Sequence, residues 1–326
     1  MISILKREKL LIFLFQNGSN MEDFTKKTLN RIKKIHKEET ANEELINLRE
    51  LSENDIKKFL CTGERVFLRK EIIFGEEELV KIKLEQSLAT IRTFYINKAI
   101  IQFSSKPSTE SYNSLCRAYF WDILTYMQVC LNFKDSPTLY LESDICLLYI
   151  FVLTYWPQYV DTVEPFIIKG LETVYDRRFN GLRTAKGNYG KNTLFPLALF
   201  LSEKYNRPQS IKDSLLLLRM PSTESYSFVL DNIFTTNENV LNECIIKLST
   251  YHIDNSKTLD LTYPFHKEQW IYFPIEIISL IRLRNSYNLL DINITSNTVI
   301  NQFKPFINSL PEIEDLTFDL YQKMIV

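Results

Sequence analysis

The chain has 326 residues, 45% of them hydrophobic, which is enough for one large domain or two intimate ones. Its 39 basic and 40 acidic residues leave a net charge of −1, which argues against general binding to nucleic acid or to an anionic membrane. Only seven glycines are present, well under the usual ~7%. That leaves little backbone for phosphate-cradling loops or tight sheet turns, and it favours long helices joined by short polar links.

In chain order, residues 1–20 open with basic positions and the short apolar run Leu10–Phe15. A signal peptide needs a longer apolar region and a small-residue cleavage site. We therefore read this segment as an N-terminal arm or as a start-site extension ahead of Met21. Phe24, Ile32 and Ile35 share one face of a first helix, with Leu29 beside them. Its other face is basic, with Lys26, Lys27, Arg31, Lys33, Lys34 and Lys37 around His36. The acids from Glu38 to Glu44 offset that charge. A second helical region covers 42–70, with breaks expected near Ser52 and Gly63. A long helix is expected from Glu76 to Phe103, on the spacing of Leu84, Leu88, Ile91, Tyr95 and Ala99.

The hexapeptide PSTESY occurs twice, at Pro107–Tyr112 and Pro221–Tyr226. The residues after the two copies do not align, so both read as helix starts, with a Ser or Thr cap and a Glu near the positive helix end. Further helices are expected at 110–132, 143–156, 157–176, 194–205, 209–219, 223–233, 237–252, 274–288 and 312–325. Pro157 and Pro196 fall in first turns, and Pro165 should kink or restart its segment. The apolar run Ile145–Trp156 is too short to span a bilayer. NITSNTVI, at 293–300, is a candidate extended piece. The sum is an all-α fold, a large irregular antiparallel helical bundle or helical-repeat-like array. It divides into a half at 21–176, a connecting loop at 177–191 and a half at 192–326.

Candidate chemistry is sparse. Around Gly190-Lys191 the loop fails the phosphate-loop pattern twice, at Ala185 and at Asn192. Its Arg177, Arg178, Arg183, Lys186 and Lys191 form a positive patch suited to an acidic partner surface. Two acidic clusters sit where helix starts are expected: Glu76, Glu77 and Glu78, then Glu312, Glu314 and Asp315. Helix-dipole stabilisation accounts for them, and mimicry of nucleic acid toward a basic toxin is the sharper reading. His252, Asp254 and His266 hold possible metal donors, but the H-x-x-x-H spacing of helical sites is missing. His252 reads better as a histidine at a helix C-terminus. No G-x-S-x-G or H-E-x-x-H motif occurs, and with three histidines in all, hydrolytic catalysis has little to stand on. The odd number of cysteines, five, and the lack of C-x-x-C indicate buried thiols in a reducing compartment.

In PFHKEQWIYFPIEIISLIRLRN, Pro264–Asn285, Pro274 should open a helix, with His266–Phe273 reaching it as an extended or turning arm. Only Glu276, Ser279 and Arg282 form a polar stripe on that helix, so most of its circumference should be buried.

The C-terminal third carries a family resemblance. MPSTESYSFVLDNIFTTNENVLNECIIKLSTYHIDNSKT, Met220–Thr258, holds a helix with Asn242 that ends in Tyr251-His252. WIYFPIEIISLIRLRNSYNLLDINITSNTVI comes after it, with Pro274 before a buried helix and a short NLLDINI tail. Over about residues 213–300 this resembles the bacterial immunity protein 49 family, found beside polymorphic toxins. The resemblance implies an all-helical cytoplasmic protein that neutralises a cognate protein toxin by stoichiometric binding. It implies no enzymatic activity; no cofactor or metal is expected from the sequence, and the charge balance speaks against nucleic acid and membrane as partners. It carries over no binding residue position by position. A helical scaffold or adaptor for a different protein partner is the alternative.

Overall fold

The computed structural model describes the backbone of residues 2–73, 76–132, 140–179, 194–217, 224–289 and 298–325. Side chains are described for 22–70, 76–132, 140–173, 194–216, 226–289 and 298–325. The chain is 75% helical, with 13 helices among the described residues and one small hairpin. The elements run α1 (Ile2–Ala41), α2 (Glu43–Thr62), β1 (Val66–Ile73), β2 (Glu76–Lys83), α3 (Leu84–Ser105) and α4 (Thr109–Leu131). They continue with α5 (Glu142–Tyr155), α6 (Val160–Phe179), α7 (Leu194–Lys204), α8 (Gln209–Leu217), α9 (Glu224–Asn232) and α10 (Glu238–Asp254). Last come α11 (Glu268–Tyr272), α12 (Ile275–Ser286) and α13 (Asp315–Ile325). Packing is bundle-like, and among the described residues no helix is long and apolar enough to cross a membrane.

Two compact units interleave along the chain. One holds Met1–Arg31 and Leu141–Asn308, the other Ile32–Tyr140 and Ser309–Val326. This partition follows contacts rather than sequence order, since α13 joins the unit built by α2, α3 and α4. Residues 177–179 of the expected connecting loop continue α6, and 180–191 lie outside the described residues. Residues 2–20 are backbone of α1.

In the second unit, α3 and α4 pack along one another. Ser108 starts α4: its hydroxyl accepts from Ser111 N–H at 3.1 Å, and Ser111 returns a bond to Ser108 N–H. This is the helix start that the first PSTESY foretold. From Ala118 to Cys130 the helix is buried on every side. α2 ends on Gly63, whose φ of 76° closes the helix in the left-handed region. The break expected at Ser52 does not occur. Ser52 is buried inside α2 and donates to Leu48 C=O at 2.7 Å, so its hydroxyl is satisfied without leaving the helix.

The hairpin corrects two expectations. Residues 66–70 are strand rather than helix, and Glu76–Lys83 is strand rather than the first turns of α3. The reason is a period of two. Phe67, Arg69 and Ile82 turn inward and are buried, while Val66, Leu68, Lys70, Leu79 and Lys81 face outward. The strands pair antiparallel, with Leu68 opposite Lys81 and Lys70 opposite Leu79. Burial of alternate side chains overrides the helix preference of the Glu run.

In the first unit, α5 is buried along its whole length and packs on α12. α12 begins directly after Pro274 and is buried from Ile275 to Ile281, as the apolar pattern requires. The polar stripe is a correction, because Glu276 and Ser279 are fully buried. Each has an internal partner: Glu276 meets His252, and Ser279 donates to Glu276 C=O at 3.0 Å. Arg282 lies 4.5 Å over the Tyr155 ring and donates to Ile307 C=O. Pro165 lies inside α6 without ending it, and Pro157 opens a 3-10 turn at Pro157–Tyr159 before it. The expected arm at 266–273 contains α11. The expected extended piece at 293–300 lies mostly outside the described residues, and its 299–300 form a turn. Cys116, Cys130, Cys146 and Cys244 are buried, whereas Cys61 is exposed.

Candidate functional site

The site is built on the last turn of α10. His252 is fully buried there. Its Nε2 lies 2.9 Å from the Ile271 carbonyl, and its Nδ1 lies 2.6 Å from Glu276 Oε1. A carbonyl only accepts, so Nε2 carries a hydrogen, and a carboxylate is served by a second one on Nδ1. The ring is clamped between α11 and α12, and this geometry favours its doubly protonated form. Burial lowers its proton affinity, but the Glu276 charge and hydrogen bond and the Ile271 carbonyl outweigh burial, so its pKa is raised. The Phe265 ring covers it at 4.4 Å, and Phe24 of α1 meets it edge-on at 6.2 Å. Glu276 Oε2 has no partner among the described residues, which leaves the carboxylate dependent on His252.

Above this pair the chain leaves α10 and returns as a closed loop. Ser256 and Phe265 form a bridge at its neck. Lys257 N–H donates to Phe265 C=O at 2.9 Å, and Leu259 N–H to His266 C=O at 3.0 Å. Inside the loop, Asp260 Oδ1 accepts from Thr262 N–H at 3.1 Å and from its hydroxyl at 2.7 Å, a side-chain turn of the Asx type. Lys257 Nζ reaches Asp260 Oδ2 at 2.9 Å and lies over the Tyr263 ring at 5.3 Å. The Lys257 contact and then the Thr262 bonds pull the Asp260 carboxyl down to about 2. Arg31 of α1 donates to Thr258 Oγ1 at 2.8 Å and ties the loop to α1.

What this framework presents is apolar. Leu259 is 85% exposed and Leu261 is 64% exposed. Leu259 also sits at φ 61°, a left-handed backbone that costs a residue with a Cβ about 1–2 kcal/mol. Among the described residues the other positive-φ residues besides glycine are Asn206 and Asn288, a residue type that tolerates this region. Leu259 is therefore held in a strained conformation with its side chain in solvent. The fold thus presents Leu259 and Leu261 to solvent, the first of them at a conformational cost.

The residues singled out from sequence fall elsewhere. Arg177 and Arg178 lie on α6 with side chains outside the described residues, as are Arg183, Lys186 and Lys191 entirely. Glu76, Glu77 and Glu78 lie exposed on β2, not at a helix start. Glu77 pairs with Lys70 at 2.9 Å. Glu312 and Glu314 precede α13, and Asp315 is in its first turn, as the dipole reading expects. Glu314 lies 3.8 Å from Arg117. The possible metal set is not assembled. His266 turns to Asp144 of α5 at 3.7 Å, His252 turns to Glu276, and Asp254 is exposed. Lys267 also reaches Asp144, at 3.0 Å. Among the described residues no cluster of His, Cys, Asp or Glu could hold a metal ion.

Sequence reasoning missed both the Glu276 partner and the loop. TLDLTY, with leucines alternating with Asp260 inside a turn-rich stretch, was the available signal. A pocket of about 290 Å³ lies between Thr25, Lys26 and Leu29 of α1 and the turn at Thr298–Gln302. No family model, no curated protein and no solved structure matches the chain.

Proposed function

We propose that this chain is an immunity protein that binds and neutralises a cognate bacterial toxin in the cytoplasm, by stoichiometric occlusion. The loop at 255–266 carries the reading, because it sets two leucines in solvent, one of them in a left-handed backbone fixed by its own bond to the His266 carbonyl, with no burial of its side chain in return. Apolar anchors on a pre-ordered backbone are what a tight protein interface needs, since little freedom is lost on docking. The resemblance over residues 213–300 names the class of partner and spans this loop. Buried and ion-paired, His252 supports the loop's footing from below.

The test is co-expression. Cells producing a toxin encoded beside this gene should grow when the chain is present and die when it is absent. Failure to protect against every adjacent toxin candidate would favour an adaptor for a different protein partner and overturn the reading.

A further inference from the structure

The hairpin of the second unit carries a separate inference, which does not rest on the toxin reading. Among the described residues β1 and β2 form a two-stranded sheet, and no third strand pairs with the outer edge of either. Such edges are templates for strand addition. The face turned to solvent is also apolar at intervals, with Leu79 67% exposed and Leu68 64% exposed.

The order of residues on β2 specifies an occupant. Its outward face reads Glu77, Leu79, Lys81. Two antiparallel strands related by a two-fold axis must have that axis normal to the sheet, so residues of the same face meet across it. Centred on Leu79, this pairing sets Leu79 against Leu79 of the second copy and Glu77 against Lys81 at both ends. The inward face then pairs Glu78 with Val80 and Glu76 with Ile82, with no like charges opposed. β1 offers no such pattern, since the described part of its outward face reads Val66, Leu68, Lys70 and holds one sign of charge. Glu77 already holds Lys70 of its own hairpin, and in the pair it would lie between that lysine and Lys81 of the other copy.

We propose that β2 docks on β2 of a second copy of this chain, giving a continuous four-stranded sheet across a two-fold axis at Leu79. Opposite charges facing across strands fix the register, and like charges in the same places prevent pairing.

Sedimentation velocity of the full chain, in a concentration series reaching high micromolar, tests this. The wild type should move from the 38.6 kDa monomer to twice that mass. Lys81→Glu alone, or Glu77→Lys alone, opposes like charges at both ends and should weaken the dimer by roughly tenfold or more. The double swap Glu77→Lys with Lys81→Glu restores both pairs and should restore the dimer. Leu79→Lys should leave a monomer. Circular dichroism melts should match the wild type for these exposed changes, which separates loss of pairing from loss of fold. The proposal is overturned by a wild type that stays monomeric, by a dimer indifferent to Lys81→Glu, or by a double swap no better than the singles. A monomer whose hairpin variants lose a co-purifying protein would assign the edge to that partner's strand and equally overturn self-pairing.

Discussion

The loop at 255–266 and the hairpin Val66–Lys83 both carry exposed leucines, and both stand on a buried ion pair, but the two footings differ in chemistry. Under the loop, His252 pairs with Glu276. Under the hairpin, Arg69 bonds Asp55, Ser52 and Ser87, and Ser87 also donates to Asp55 at 2.7 Å. An arginine guanidinium does not deprotonate in proteins, whereas a histidine titrates near neutrality. The projections differ as well. The hairpin has regular strand geometry, while the loop holds Leu259 in a left-handed backbone. The hairpin is thus an ordinary edge with a self-complementary charge order. The loop is a strained display whose footing responds to pH.

Breaking the footings gives the largest effects. Glu276→Ala leaves His252 buried without its counter-charge, and Asp55→Ala does the same to Arg69. Each should cost about 3–5 kcal/mol in urea unfolding. Proton linkage should then separate the two. The His252 pKa is raised in the fold, so its stabilisation is fully present below the unfolded value of about 6.5. It is lost as pH rises through the folded value. Stability should fall over that window by at most about 1.4 kcal/mol per pH unit, the slope for one proton. His252→Gln should flatten this part of the profile, and Asp55→Asn should leave its slope above pH ~6.5 unchanged. A profile that stays flat in the wild type would contradict a charged His252.

Smaller changes sharpen the contrast at the tips. Leu259→Gly relieves the left-handed strain but frees the unfolded chain. It should stabilise the protein by about 0.5–1 kcal/mol in thermal melts while weakening the proposed binding to a toxin. A loss of stability would show that the leucine is held by the fold rather than displayed by it. Leu79→Lys on the hairpin should leave monomer stability within about 0.5 kcal/mol, because the side chain is exposed and the strand geometry regular.

Much of the helical framework was legible, and the physics of each miss is specific. Helices α4 to α10 and α12 follow apolar spacing, Ser or Asn caps and prolines at first turns, all of them local signals. Thus Ser108 and Pro274 mark helix starts in the structure as in the sequence. The hairpin was hidden because Glu76–Glu78 resembles a helix start, and the inward set of Phe67, Arg69 and Ile82 includes a charged residue. Arg69 is tolerated inside only because Asp55 and Ser87 meet it from elements distant in sequence. The same reason concealed the site. Glu276 looked like part of a solvent stripe, because the imidazole that satisfies it lies 24 residues away. Local pattern reports which face is apolar, but not which buried polar group finds a partner across the core. Leu259 was passed over because exposure and backbone sign are properties of the closed loop, not of the residue type.

The most direct test of the account is growth rescue with the loop altered. Cells producing a candidate toxin encoded beside this gene would be given either the wild-type chain or the double variant Leu259→Asp with Leu261→Asp, matched for expression and melting temperature. The account predicts full rescue by the wild type and loss of rescue by the variant. Equal rescue by both would contradict it.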